Sequence, residues 1–127
     1  MQQGLFEHVN MTVSDPRKTA QMLCDLFNWK IRWEGPSLGG GRTVHVGTEI
    51  GYVALYTAGQ PDKMSGESYG MIGAVNHLGI LVDDLDGVEA KVLGAGIKTE
   101  NHQTYDPGAR FYFHDHDGIE YEVVSYA

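Results

Sequence analysis

Glu7-His8-Val9-Asn10-Met11-Thr12-Val13 and Asn76-His77-Leu78-Gly79-Ile80-Leu81-Val82 are two versions of one stretch. Each alternates in polarity, carries a histidine near its start, and runs into helix-start chemistry. That chemistry is Ser14-Asp15-Pro16 after the first copy and Asp83-Asp84 after the second. The two histidines lie 69 residues apart in a chain of 127. The sequence therefore reads as one unit written twice, and a repeat of this kind decides the fold before any single element does.

Strand side chains alternate between faces. In the first copy Val9, Met11 and Val13 point one way, and His8, Asn10 and Thr12 the other. In the second, Leu78, Ile80 and Val82 oppose His77 and Gly79. A polar face on such a strand suggests a lined pocket. Working outward, Ser14 or Asp15 caps a helix with Pro16 in its first turn, where a missing N–H costs little. Ala20, Leu23, Cys24 and Phe27 then keep the spacing of one buried stripe, and Asn28 ends the helix. Lys30–Trp33 reads as a strand, 35–41 as a flexible glycine-rich loop, and 43–46 with 52–56 as a hairpin. The first module, 5–57, is thus β-α-β-β-β. Residues 58–74 hold five glycines or prolines without a period and form the connector, long enough to cover a site. The second module, 75–127, repeats the order. Its helix carries Leu85, Val88, Val92 and Leu93 and ends at Gly94-Ala95-Gly96, and strands follow at 97–104, 110–113 and 119–125. The predicted class is α+β.

Composition narrows the function. A content of 42% hydrophobic and 20% charged residues is that of an ordinary globular protein. No apolar run reaches the roughly 20 residues that span a bilayer, and the first residues have no signal-peptide pattern. Cys24 is the only cysteine, which excludes an intrachain disulfide and fits a reducing cytoplasm. A formal charge of −8 with no basic cluster repels phosphate backbones and anionic lipid. Neither nucleic acid nor membrane is an expected partner. A small molecule is.

Both His-bearing strands, both helices, and the run Phe111-Tyr112-Phe113-His114-Asp115-His116-Asp117-Gly118-Ile119-Glu120-Tyr121-Glu122 carry a family resemblance. Together they resemble the vicinal oxygen chelate superfamily, which includes glyoxalases, bleomycin-resistance proteins and ring-cleaving dioxygenases. The last run is similar to that family's Phe-Asp-Pro-Asp-Gly turn and final strand, with His116 where proline is usual. The resemblance implies two βαβββ modules curled into a half-barrel around a metal, with ligands from the first and last strands of each. The matching positions are His8, His77 and Glu122. The fourth falls on Ala54, which cannot bind a metal, and leaves Glu49 or Glu34 as the carboxylates to stand in. The resemblance also implies a homodimer, which would cover exposed strand edges.

Two imidazoles and one carboxylate suit Fe(II) or Mn(II) and leave coordination positions open for substrate, while Zn, Ni, Co or Mg is also compatible. A closed structural zinc site would ask for four protein ligands, often thiolates. Tyr112, followed by the Asp-x-Asp-Gly turn and a glutamate, resembles the signature of ring-cleaving dioxygenases. His102 lies upstream, near the place of their catalytic histidine. Asp115-His116-Asp117-Gly118 itself reads as turn chemistry, and Trp33, His45, Tyr52 and Tyr56 as packing aromatics able to line a pocket. The expectation is a dioxygenase-type metal enzyme acting on adjacent oxygens. The alternatives are a redox-neutral lyase, isomerase or transferase on the same metal, or a metal-free protein that sequesters a drug or metabolite.

Overall fold

The structure is a computed structural model that describes residues 2–37 and 39–127. Met1, and Leu38 of the glycine-rich 35–41 loop, lie outside the described residues. The chain divides into two compact units, Met1–Lys63 and Met64–Ala127, and the division falls inside the expected connector.

The first unit runs β1 (His8–Thr12), α1 (Pro16–Phe27), β2 (Lys30–Pro36), β3 (Arg42–Gly47) and β4 (Tyr52–Thr57). Its sheet has the order β1-β4-β3-β2, with β1 parallel to β4 and the other pairs antiparallel. The second unit runs β5 (Leu78–Leu81), α2 (Leu85–Gly94), β6 (Thr99–Tyr105), β7 (Gly108–His114) and β8 (Glu120–Ser125). Its order is β5-β8-β7-β6, with β5 parallel to β8. Each unit is one βαβββ module, and the fold is α+β.

Local chemistry explains the helices. The Asp15 side chain accepts from the backbone N–H groups of Arg17 and Lys18 at 3.2 and 3.3 Å, and Pro16 opens α1. Asn28 closes it in the left-handed region at φ 57°, a conformation Asn tolerates, and sends its N–H to the Cys24 carbonyl. The buried stripe is Pro16, Thr19, Ala20, Leu23 and Leu26. It turns slightly away from the predicted one, so Leu26 is buried and Phe27 moves to the margin against Trp29. In α2, Asp84 caps Gly87 at 3.0 Å and Gly96 supplies the left-handed turn beyond the end. Only Val92 of that helix is fully buried, while Leu93 is 53% exposed.

Alternation then sorts each sheet into two faces. In module one, Val44, Val46, Val53 and Leu55 are buried, paired Val44 with Leu55 and Val46 with Val53, on the face that α1 covers. In module two, Phe111, Phe113, Tyr121 and Val123 do the same against α2, and Phe113 stacks on Tyr121 at 4.8 Å. Burying side chains of this size stabilises by about 1.5–3 kcal/mol each. The opposite faces keep the polar residues. Gly108 begins β7 so close to β8 that a Cβ there would collide with the Ser125 carbonyl. Gly108→Ala is therefore expected to cost about 1–3 kcal/mol, as overpacking against unyielding backbone does. Urea unfolding reads the loss.

Candidate metal centre

Module two gathers most of the site. Gly79 of β5 lies beside Glu122 of β8, and Glu122 lies beside Tyr112 of β7, so these residues share the face away from α2. His77 stands two residues before Gly79, just ahead of β5, and its ring meets the edge of Tyr112 with centroids 5.8 Å apart. The Glu122 carboxylate is anchored on one oxygen. Its Oε2 accepts from the Tyr112 hydroxyl at 2.5 Å and from Arg110 Nη1 at 3.4 Å. Its Oε1 lies toward Gly79, 3.7 Å from where a Cβ would stand, an ordinary contact distance. A carboxylate anchored on one oxygen fits a monodentate ligand with outer-shell support.

Next to this pair lies a second network. Tyr69, in the Ser68–Gly70 turn of the connector, donates to Glu120 Oε2 at 2.5 Å and lies 3.2 Å from His77 Nδ1. Glu120 Oε1 approaches His114 Nε2 at 3.4 Å, and His114 Nδ1 meets Glu100 at 2.8 Å.

Module one presents His8 on the corresponding face. His8 and Tyr52 pair across β1 and β4, and their rings stack at 4.9 Å. The stack continues from Tyr52 to His45 at 4.5 Å, and Trp33 meets His45 at a tilt of 50° with centroids 5.0 Å apart. Glu7 Oε1 holds His8 Nδ1 at 2.9 Å and accepts from the Tyr52 hydroxyl at 3.1 Å. These contacts, led by His8, keep the Glu7 carboxyl below the usual carboxylate range. Burial and the neighbouring His8 and Arg32 charges lower the His45 pKa.

The register shows how deep the repeat goes. Asn10 pairs with Ala54 in module one as Gly79 pairs with Glu122 in module two. His8 and His77 each precede those pairs by two residues. Ala54 therefore occupies the place that Glu122 holds in the other copy, and neither Glu34 nor Glu49 replaces it. Glu34 pairs with Val44 on the helix side and is bound by Arg17 and Arg42 at 3.3 and 3.2 Å. Glu49 sits in the exposed β3–β4 turn beside Lys30. Among the described residues, no three His, Cys, Asp or Glu side chains are drawn together tightly enough to hold a metal ion. Of the ligand candidates read from the sequence, module two carries His77 and Glu122, and module one carries His8.

His102 is placed elsewhere. A register shift in β6 between Glu100 and Gln103, with Asn101 at φ 54°, turns His102 toward α2. There its Nε2 meets Glu89 at 2.5 Å and its ring stacks on Phe111, on the helix side of the sheet. Tyr112 points to the other face, so the expected pairing of Tyr112 with His102 is not formed. Asp115 is a turn anchor: its Oδ1 accepts from the N–H groups of Asp117 and Ile119, and its Oδ2 from the buried Tyr121 hydroxyl. Three residues of the site face were not singled out from sequence. Glu120 and Arg110 had a signal, since each lies two residues from Glu122 or Tyr112 on one strand. Tyr69 had none, lying in an aperiodic connector.

The tyrosines carry a pH signature. Hydrogen bonding to Glu120 pushes Tyr69 up to about 12, and hydrogen bonding to Glu122 does the same for Tyr112. Both are raised, so their contribution to stability is complete below the ordinary tyrosine pKa of about 10 and is lost as pH climbs toward 12. In ultraviolet difference titration, Tyr69→Phe and Tyr112→Phe are each expected to remove one late-ionising tyrosine.

Two βαβββ modules, each with a histidine at or just before its first strand, define the class of fold. Residues 5–123 match the model of the Glyoxalase/Bleomycin resistance protein/Dioxygenase superfamily, and the chain belongs to that superfamily. Several solved structures share the fold. A glyoxylase/bleomycin resistance protein/dioxygenase domain from Frankia sp. EAN1pec is 20% identical, with TM-score 0.78 and 98% of each chain covered. The fosfomycin resistance protein FosX from Listeria monocytogenes, complexed with Mn(II) and sulfate, is 18% identical, with TM-score 0.73 over 98% of this chain and 93% of that one. The antibiotic-binding protein TnmS3 from Streptomyces sp. CB03234 is 18% identical, with TM-score 0.74 and 98% of each chain covered. No curated protein matches the sequence. Among the described residues, no helix is long and apolar enough to cross a membrane.

Proposed function

We propose that the protein is a divalent-metal-dependent enzyme acting on a small molecule with two adjacent oxygens, and that His8, His77 and Glu122 are its protein ligands. The observation that carries this reading is the register pair Gly79–Glu122. It sets Glu122 beside the strand that follows His77, with one carboxylate oxygen anchored and the other toward Gly79. A bound divalent ion would act as a Lewis acid toward the chelated oxygens. Mn(II) or Fe(II) suits mixed nitrogen and oxygen ligation, and FosX from L. monocytogenes was crystallised with Mn(II).

The chain's own residues would set the rest. Tyr112 donates its hydroxyl proton to Glu122, so it would position that carboxylate as a hydrogen-bond donor rather than act as a base. Arg110 offsets the Glu122 charge and lies 4.4 Å over the Tyr105 ring. The Trp33-His45-Tyr52-His8 row would border a substrate with ring edges, since the faces of Tyr52 are stacked on His8 and His45.

Of the reaction classes raised by the sequence, we adopt the redox-neutral one. Ring cleavage would draw on an acid–base histidine beside the ligands, and His102 is held by Glu89 on the other face. The test is turnover of substrates offering adjacent oxygens by the Mn(II)-loaded protein, with and without oxygen. Turnover without oxygen is expected, and strict oxygen dependence would overturn the choice. The aromatic row favours one further reading, a sequestering protein like the antibiotic-binding TnmS3. Ligand binding that survives alanine at His8, His77 and Glu122 together would select it. The proposal also keeps a cytoplasmic homodimer, which light scattering on the eluted protein reads.

A further inference from the structure

We propose that Tyr69 and Glu120 form a relay that fixes the tautomer of His77 and presents its Nε2 as the ligand atom. This rests on His77 being a metal ligand, as inferred above. The hydrogen-bond directions follow from what each group can do. Glu120 is a carboxylate and can only accept, so the Tyr69 hydroxyl spends its one proton on Glu120 Oε2 at 2.5 Å. The Tyr69 oxygen is then an acceptor toward His77 Nδ1 at 3.2 Å. His77 Nδ1 must therefore carry the ring proton, which leaves the Nε2 lone pair for a cation. Glu120 itself lies 3.6 Å from His77 Nδ1, beyond hydrogen-bond reach, so the Tyr69 oxygen is the bridge between them. The other Glu120 oxygen lies 3.4 Å from His114 Nε2.

The relay has the logic of the carboxylate–histidine–metal arrangement, with a tyrosine inserted between carboxylate and imidazole. Its tyrosine comes from the connector. The Ser68–Gly70 turn is thereby tied to the ligand face of its own module, although Tyr69 is 62% exposed and has little packing to hold it there. Tyr69 and Glu120 are positioning residues.

Two measurements test this. The first is the pair of ring nitrogen shifts of His77 in metal-free protein, read by long-range proton–nitrogen NMR well above the ordinary histidine pKa of about 6.5. The relay predicts a proton on Nδ1 in the wild type, and movement toward the Nε2–H form in Tyr69→Phe. A wild type already in the Nε2–H form, or no change in Tyr69→Phe, overturns the relay whatever the metal does. The second is Mn(II) affinity by chelator competition. Tyr69→Phe is expected to bind about 10-fold more weakly, the lower end of outer-shell effects. Glu120→Gln should weaken binding similarly, and the double variant little further, because both act through one chain. Equal Mn(II) affinity in wild type and Tyr69→Phe contradicts the relay. Failure of the wild type to bind Mn(II) contradicts the ligand assignment instead, and the nitrogen shifts still decide the tautomer.

Discussion

His77→Ala is expected to lower Mn(II) affinity by more than about 100-fold, beyond the ~10–100-fold that losing an outer-shell partner costs. The fold should survive. His77 precedes β5 rather than lying in it, and its neighbours are Tyr69, Tyr112 and Glu120 on the polar face, not the α2 core. Circular dichroism should therefore match the wild type while chelator competition shows the loss. Unchanged affinity in a folded variant would remove His77 from the ligand set. Glu122 makes a less clean probe. Removing its carboxylate would leave the Arg110 guanidinium, only 12% exposed, without its counter-charge, and so mix a stability loss with a ligand loss.

The largest stability effect is expected at Asp115. Its side chain takes hydrogen bonds from Asp117 N at 2.8 Å, Ile119 N at 3.0 Å and Tyr121 Oη at 2.7 Å. Tyr121 is fully buried, and burial raises its pKa far above the usual tyrosine range. In Asp115→Ala the Tyr121 hydroxyl would stay buried without its partner, and the turn that starts β8 would lose two of its N–H acceptors. Stranding a buried polar group costs ~1–3 kcal/mol, and with the turn the total is about 3 kcal/mol. That corresponds to a fall in Tm on the order of 10 °C for a chain this small. Asp115→Asn should lose less, because one acceptor oxygen remains. A thermal scan of both variants reads the difference, and an Asp115→Ala variant as stable as wild type would contradict the anchoring role.

Much of this was legible in the sequence because it rests on short-range rules. The alternation around His8 and His77 gave the strands, Asp15-Pro16 and Asp84 gave the helix starts, and the repeat gave the order of elements. Three features were not legible, each for a physical reason. The β6 irregularity at Asn101 turned His102 from the site face to Glu89, and one extra residue in a strand leaves no periodic trace. The α1 stripe buried Leu26 instead of Phe27, since the two are adjacent on the helix and the packing of the sheet chooses between them. Tyr69 reaches His77 from an irregular connector, where nothing in the local sequence fixes where a side chain will land. Glu120 was readable in principle, since it stands two residues from Glu122 and so shares its face.

The most direct test of the account is the metal stoichiometry of wild-type protein, measured by elemental mass spectrometry after purification without chelator and after equilibration with Mn(II). The account predicts about one equivalent per chain with no closed four-ligand site, lost in His77→Ala. A wild type that stays empty after exposure to Mn(II), Fe(II) and Zn(II) alike would contradict it. The aromatic row of module one would then become the basis for a ligand-sequestering protein.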